Sequence, residues 1–117
     1  LAGVDLTGKD DVVAEVLLDL ARNETRPRTI ALAQSIVAAL KDAGAPINRK
    51  PIRSAGFSVL KAADIPSVLL EVGFLSSTRD LKNLKNPNWR ATMAAGLRKA
   101  LQEWMISDAA TAELVRQ

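Results

Sequence analysis

The 117-residue chain contains no cysteine, no histidine and no tyrosine, and it has only two tryptophans and two phenylalanines. Without cysteine it can form no disulfide, no thiolate metal site and no thiol nucleophile. Without histidine it can supply neither a Ser–His catalytic pair nor a histidine-ligated metal. These absences exclude a conventional zinc or nucleophile active site made by this chain alone.

Long apolar runs and a strong charge imbalance are also missing. No stretch approaches the ~20 apolar residues that a membrane-spanning helix needs, and no N-terminal signal pattern is present. The 16 Lys and Arg residues exceed the 13 Asp and Glu residues by too few to indicate nucleic-acid binding. The few aromatic residues are not interleaved with the arginines, as they are in single-strand binding platforms. We therefore predict no membrane span and no nucleic-acid partner.

Apolar spacing and capping residues predict two helices in the first part of the chain. Residues 10 to about 22 have apolar side chains on one helical face, and Asp10 is a suitable N-cap. Thr25 followed by Pro27 predicts the start of a second helix, because a proline in the first turn sacrifices no hydrogen bond. Gly44 is expected to end this helix.

The last part of the chain is also predicted to be helical. Residues 80–85 are typical of a short helix, and Pro87 opens a long one whose apolar stripe includes Trp89 and Trp104. Residues 107–117 either extend this helix or fray as a tail.

Two intervening segments have patterns typical of strands. Residues 56–61 alternate apolar and polar, whereas residues 67–75 are almost continuously apolar, as in a strand covered on both faces. The element order predicts an α/β fold, in which about two strands and three to four helices form the C-terminal part of an open sheet flanked by helices. Because two strands do not complete such a sheet, we expect the remainder in a larger domain.

Glu71 interrupts the apolar run of residues 68–72. Because an unpartnered buried carboxylate is costly, its presence needs a reason. One is acid–base chemistry at the end of a strand, where open α/β sheets bind their ligands. The alternatives are an edge position or a salt bridge to Arg49 or Arg53.

Three stretches resemble the C-terminal signature of zinc-dependent N-acetylmuramoyl-L-alanine amidases, the peptidoglycan amidases of bacterial cell separation. These are NR at 48–49, AGFSVLK at 55–61 and IPSVLLEVGFLS at 65–76. The resemblance covers residues 48–104 well, and the two helices predicted upstream are also of the kind that the family has there. Ser77 departs from the Asn that is usual in the family, which is expected to weaken a turn contact.

The resemblance implies a hydrolase that cleaves the amide between N-acetylmuramic acid and L-alanine of the stem peptide. It also implies that Glu71 is the catalytic glutamate and acts beside a zinc ion, where it activates the attacking water or stabilises the tetrahedral intermediate. The zinc ligands of the family are two histidines and a glutamate from the first half of the domain, so we expect them upstream of this chain. Residues 1–117 are then the C-terminal portion of one catalytic domain, inactive by themselves.

Regulation and location follow from the same resemblance. In cell-separation amidases an inserted helical segment covers the zinc site until an activator with a LytM-type domain draws it away, and residues 1–25 resemble part of that autoinhibitory insertion. Val12, Val16 and Leu20 then form a candidate partner-binding face, with packing on the domain as the alternative. The family acts in the periplasm or outside the cell.

The basic cluster that contains Arg53 is a candidate substrate-binding site. Arg53 lies near Arg49 and Lys50 with no acidic residue among them. These cations could contact the free carboxylates of a glycan-peptide strand, whereas the alternative is an ordinary solvated loop.

A hypothesis of a different class is a stand-alone helical or α/β protein-interaction module. Such a module would bind a partner through its first helix and would have no catalytic activity.

Overall fold

The computed structural model describes residues 11–56 and 58–116. Their regular elements are α1 (Asp11–Asp42), α2 (Thr78–Lys85), α3 (Pro87–Arg116) and one 3₁₀ turn at Ser58–Leu60. α1 packs against α3, and α2 packs against the same helix. None of the helices in the described part of the chain is both long and apolar enough to cross a membrane. The predicted N-cap Asp10 and the residues before it lie outside the described part.

α1 is continuous through the region where the sequence predicts a break, so the expectation of two separate helices is wrong. Thr25 is buried inside α1, and Pro27 lies within the same helix although it cannot donate a backbone hydrogen bond. The neighbouring Arg28 explains why the helix continues. Its guanidinium donates two hydrogen bonds to Asp108, at 2.9 and 3.0 Å, and its carbonyl accepts one from the Trp104 indole at 3.0 Å. Contacts with α3 therefore hold the turn that proline weakens.

The end of α1 follows the prediction. Gly44 has a φ of +93°, a conformation that glycine adopts without the strain a Cβ would cause. Its N–H donates to the carbonyl of Lys41, and the N–H of Ala45 donates to the carbonyl of Leu40. These two bonds form a Schellman motif and satisfy two of the last carbonyls of the helix.

α3 begins at Pro87, as predicted, and continues to Arg116, so residues 107–116 extend the helix. The side chain of Asn86 accepts hydrogen bonds from the N–H groups of Asn88 and Trp89, which caps the first turn. α2 also confirms its prediction, although it begins at Thr78, two residues earlier than expected.

α1 and α3 approach each other closely at Gly96. A Cβ built there would lie 3.3 Å from the Cβ of Ala43 and 3.4 Å from the carbonyl oxygen of Ala39. Small side chains on both helices therefore let the two backbones come together. On either side of this contact lies the apolar core, made of Leu32, Ile36, Ala39, Leu40, Met93 and Ala100.

The predicted α/β fold is wrong, because residues 11–56 and 58–116 contain no strand and no sheet. Residues 58–60 form the 3₁₀ turn, and residues 66–74 have no regular secondary structure. A strand requires a neighbour whose backbone groups complete its hydrogen-bond ladder. In the described chain no backbone hydrogen bond joins residues 66–73 to another segment. Apolar sequence alone cannot replace that neighbour.

The contact at Gly96 predicts that Gly96→Val destabilises the protein, although valine is a better helix former than glycine. The added methyl groups must push against Ala43 and the α1 backbone, and such overpacking costs about 1–3 kcal/mol. Thermal unfolding followed by circular dichroism measures the loss. Ala94→Val, at an exposed position of α3, is the control and should cost no more than the difference in helix propensity between alanine and valine, up to about 0.7 kcal/mol. Equal stability of the two variants would contradict the close crossing.

Candidate functional site

Glu71 lies on an open groove with a volume of about 770 Å³. One wall is the C-terminal part of α1 with the loop that follows it, and the other combines residues 69–74 with the beginnings of α2 and α3. Apolar side chains from both long helices line its floor: Ile36, Val37, Leu40, Trp89 and Met93. The groove therefore depends on the packing of α1 against α3.

The Glu71 side chain is exposed, so the expectation of a buried strand glutamate is wrong. Without a sheet, most of residues 69–74 faces solvent: Leu69, Val72 and Phe74 are each at least 50% exposed, although Val68 just before them packs against the core. The alternative of a salt bridge to Arg49 or Arg53 is not found: within the described residues Glu71 forms no ion pair. Its carboxylate is thus open to water and to a ligand in the groove.

The groove has a basic lining. Arg49, Lys50, Arg53 and Arg79 line it, together with Glu71 and Asp80. The Nε of Arg53 donates to the carbonyl of Lys50 at 3.2 Å, which fixes the guanidinium while it remains exposed. The structure thus brings Arg53 and Glu71, both named from the sequence, to one groove. The excess of cations favours an anionic ligand.

Asp80 is a residue of this groove that the sequence analysis missed. Its Oδ2 accepts a hydrogen bond from the N–H of Phe74 at 3.1 Å, and its Oδ1 accepts one from the Nε of Arg79 at 3.2 Å. Its own N–H donates to the Oγ of Ser77, the N-cap of α2. The spacing Ser77-x-x-Asp80 resembles a capping box and could have located the start of α2. No sequence signal points to the bond with Phe74.

Ser77 therefore performs a capping role, whereas the sequence comparison with the family pattern suggested a weakened turn contact. Its backbone N–H also donates to the carbonyl of Phe74 at 3.0 Å, which closes the turn before α2. Serine and asparagine are both favoured N-caps, so the departure from the usual Asn costs this turn little.

The pKa of Asp80 is lowered, chiefly because the carboxylate accepts the Phe74 N–H. Burial opposes this shift, and the hydrogen bond and charge of Arg79 and the bond with Ser77 add to it. Because the folded-state pKa lies below the value of the unfolded chain, the carboxylate contributes to stability above that ordinary value. The contribution is lost as the pH falls through the lowered pKa.

The proposed partner-binding face lies at the opposite end of α1 from the groove. Val12, Val16 and Leu20 are 71%, 54% and 54% exposed. Val13 and Leu17 are exposed beside them, so the first turns of α1 present an apolar face to solvent. Nothing in the described residues buries this face.

The described residues do not fit a metal centre. No three or more His, Cys, Asp or Glu side chains in residues 11–56 and 58–116 are grouped so that they could hold a metal ion. Asp80 and Glu71 line the same groove, but the Asp80 oxygens already accept from Phe74 and Arg79. Two carboxylates, one of them engaged in this way, do not make a zinc site.

Comparisons with known proteins identify the relatives of the chain. Residues 7–103 match the family described as N-acetylmuramoyl-L-alanine amidase. The chain is 26% identical over 111 residues to the N-acetylmuramoyl-L-alanine amidase AmiC of Escherichia coli O6:H1, which covers 95% of this chain and 26% of that protein. It is 29% identical over 100 residues to AmiA of Escherichia coli K12, covering 83% of this chain and 33% of that protein.

A third relative is AmiA of Salmonella typhimurium LT2, which is 30% identical over 100 residues, covering 83% of this chain and 33% of that protein. The chain thus spans about a quarter to a third of the length of these curated relatives. No solved structure matches it significantly.

Proposed function

Because the chain belongs to the N-acetylmuramoyl-L-alanine amidase family, as its signature predicts, we propose that it is the C-terminal portion of a peptidoglycan hydrolase. The enzyme would cleave the amide between N-acetylmuramic acid and L-alanine of the stem peptide. The observation that carries this proposal is the Glu71 carboxylate, which is exposed on a basic groove and forms no ion pair with the other described residues. Peptidoglycan lies outside the cytoplasmic membrane, so the proposal includes action in the periplasm or outside the cell, during cell separation.

The proposed chemistry of Glu71 is general acid–base catalysis. As a water oxygen adds to the amide carbonyl carbon, the carboxylate accepts the proton that the water loses. It then donates this proton to the alanine nitrogen as the C–N bond breaks, so the products are a carboxylic acid and an amine. Positioned acid–base groups of this kind contribute roughly 10²–10⁴-fold to a rate.

Zinc belongs to this proposal only as a cofactor of the intact protein. The described residues do not fit a zinc site, so the ligands would come from elsewhere in the protein. The proposed proton transfers need only the Glu71 carboxylate of this chain.

In the intact protein, Glu71→Gln is expected to lower kcat at least about 100-fold, because glutamine keeps the size of the side chain but cannot accept the proton. Release of stem peptides from purified peptidoglycan measures the rate. Glu113→Gln, an exposed glutamate near the end of α3, is the matched control and should leave kcat unchanged. Full activity of Glu71→Gln would remove Glu71 from the chemistry.

We propose that Arg53 binds a free carboxylate of the stem peptide. Arg53 lines the same groove as Glu71, and its Nε bond to the Lys50 carbonyl leaves the terminal guanidinium nitrogens to face a ligand. Two guanidinium N–H groups match the spacing of carboxylate oxygens, which favours this anion over a neutral group.

Arg53→Gln is expected to raise KM for peptidoglycan fragments about tenfold. This effect is at the lower end of the range for losing a hydrogen bond to a charged group, because the site is exposed to solvent. kcat should change less than twofold, since Arg53 has no part in the proton transfers. Arg98→Gln removes an exposed arginine from α3 and controls for the loss of overall charge. If Arg53→Gln and Arg98→Gln have the same KM as the parent protein, Arg53 does not bind substrate.

We further propose that the apolar face of Val12, Val16 and Leu20 belongs to an autoinhibitory segment that a LytM-domain activator binds. Exposure of this face supports the proposal, since it fits a helix-in-groove contact. The described part of α1 joins this face to the groove of Glu71 through one continuous helix. If a partner moved this face, α1 would therefore transmit the movement to the wall of the groove that its C-terminal part forms.

Val16→Asp is expected to weaken stimulation by the activator at least about tenfold, because it places an unpaired charge in an apolar contact. Stability should stay within about 0.5 kcal/mol of the parent protein, since the side chain is exposed. Asn23→Asp adds the same charge at an exposed polar position of α1 and should not affect stimulation. Undiminished stimulation of Val16→Asp would contradict the assignment of the face.

A further inference from the structure

We infer that Asp80 is a positioning residue for Glu71. It holds the Gly73–Phe74 end of the segment that carries Glu71 against the start of α2. This inference rests on the proposed role of Glu71.

The first supporting observation is that both backbone polar groups of Phe74, three residues after Glu71, form hydrogen bonds. The Phe74 N–H donates to the Asp80 Oδ2 at 3.1 Å, and the Phe74 carbonyl accepts from the Ser77 N–H at 3.0 Å. Both backbone groups of Phe74 are therefore tied to the residues that begin α2. By contrast, no backbone hydrogen bond joins residues 66–73 to another described segment. Val68 packs against the core before Glu71, and Phe74 is the point after Glu71 at which backbone hydrogen bonds hold the segment.

The second contact is a packing contact and is independent of the first. A Cβ on Gly73 would lie 3.1 Å from the Cβ of Asp80 and 3.4 Å from its Cγ. The backbone two residues after Glu71 therefore rests directly on the Asp80 side chain. Only glycine allows this approach without displacing one of the two.

Asp80 is itself held in place, so it can act as an anchor. Its side chain is buried, its N–H donates to the Oγ of Ser77 at 3.2 Å, and Arg79 donates to its Oδ1. α2 in turn packs against α3. An ionised carboxylate is also a stronger acceptor of an N–H than a neutral oxygen. A series of fixed contacts thus leads from α3 to the backbone beside Glu71.

The position of Glu71 depends on this anchor, because the side chain forms no ion pair in the described chain. A displacement of about 1 Å of a catalytic group can lower a rate about 100-fold. Loss of the anchor should therefore lower kcat, whereas KM, set by other groove residues, should change little.

The test uses Asp80→Ala in the intact protein. We expect kcat to fall at least tenfold and KM to stay within twofold. Asp80→Asn should recover part of the activity, because its amide oxygen can still accept the Phe74 N–H. Gly73→Ala, which presses on Asp80 from the other side, should lower kcat at least threefold.

Asn86→Ala is the control variant. It removes the cap of α3 without touching Asp80 or Gly73, so it controls for general loss of helix stability and should keep the parental kcat.

A second measurement reports the anchor without activity. Hydrogen–deuterium exchange in a peptide that spans residues 72–77 should be faster in Asp80→Ala than in the parent protein and unchanged in Asn86→Ala. Two outcomes would overturn the inference if Glu71→Gln is inactive. One is unchanged exchange in Asp80→Ala, and the other is faster exchange in Asp80→Ala together with the parental kcat. Full activity of Glu71→Gln would instead overturn the proposed function itself.

Discussion

The close packing of α1 against α3 is the interaction on which the other features of the structure depend. The two helices run antiparallel, with Gly96 set against Ala39 and Ala43, and polar contacts lie further along the same interface. There the Ser35 hydroxyl donates to the carbonyl of Ala100, and Arg28 pairs with Asp108. The apolar floor of the groove comes from both helices, so the site of Glu71 exists only while this crossing is maintained.

Local signals in the sequence predicted the ends of helices well. Whether a helix continues or a strand forms depends on contacts between residues far apart in the sequence, which local signals do not show. Gly44 and Pro87 marked real boundaries, because the conformation of glycine and the missing N–H of proline act within a turn. Pro27 marked no boundary, since α3 holds the helix through Arg28, about 80 residues from its partner Asp108. The prediction of two strands was wrong for the same reason. A strand needs a neighbouring strand to complete its hydrogen bonds, and the spacing of apolar residues does not show whether that neighbour is present.

The sequence names Glu71 and Arg53 as candidate site residues, and their roles stay predictions. The signature identified Glu71, and the basic cluster identified Arg53, both of which line one groove. The environment of Glu71 was wrong, since its burial was inferred from a sheet that the described chain does not contain. Asp80 was missed because the sequence shows it only as an acidic residue at the start of a predicted short helix. Its contact with Phe74 arises only when the preceding turn folds back.

In the described residues the backbone after Glu71 is held by hydrogen bonds at Phe74, while the Glu71 carboxylate forms no ion pair. A salt bridge would hold the side chain, but a neighbouring cation stabilises the charged form and makes the carboxylate a weaker base. Here the cations Arg53 and Arg79 bond instead to the Lys50 carbonyl and to Asp80, and the backbone after Glu71 is fixed at Phe74. The backbone after Glu71 is thus ordered by the charge of Asp80, and the order does not depend on an ion pair of Glu71 within the described residues.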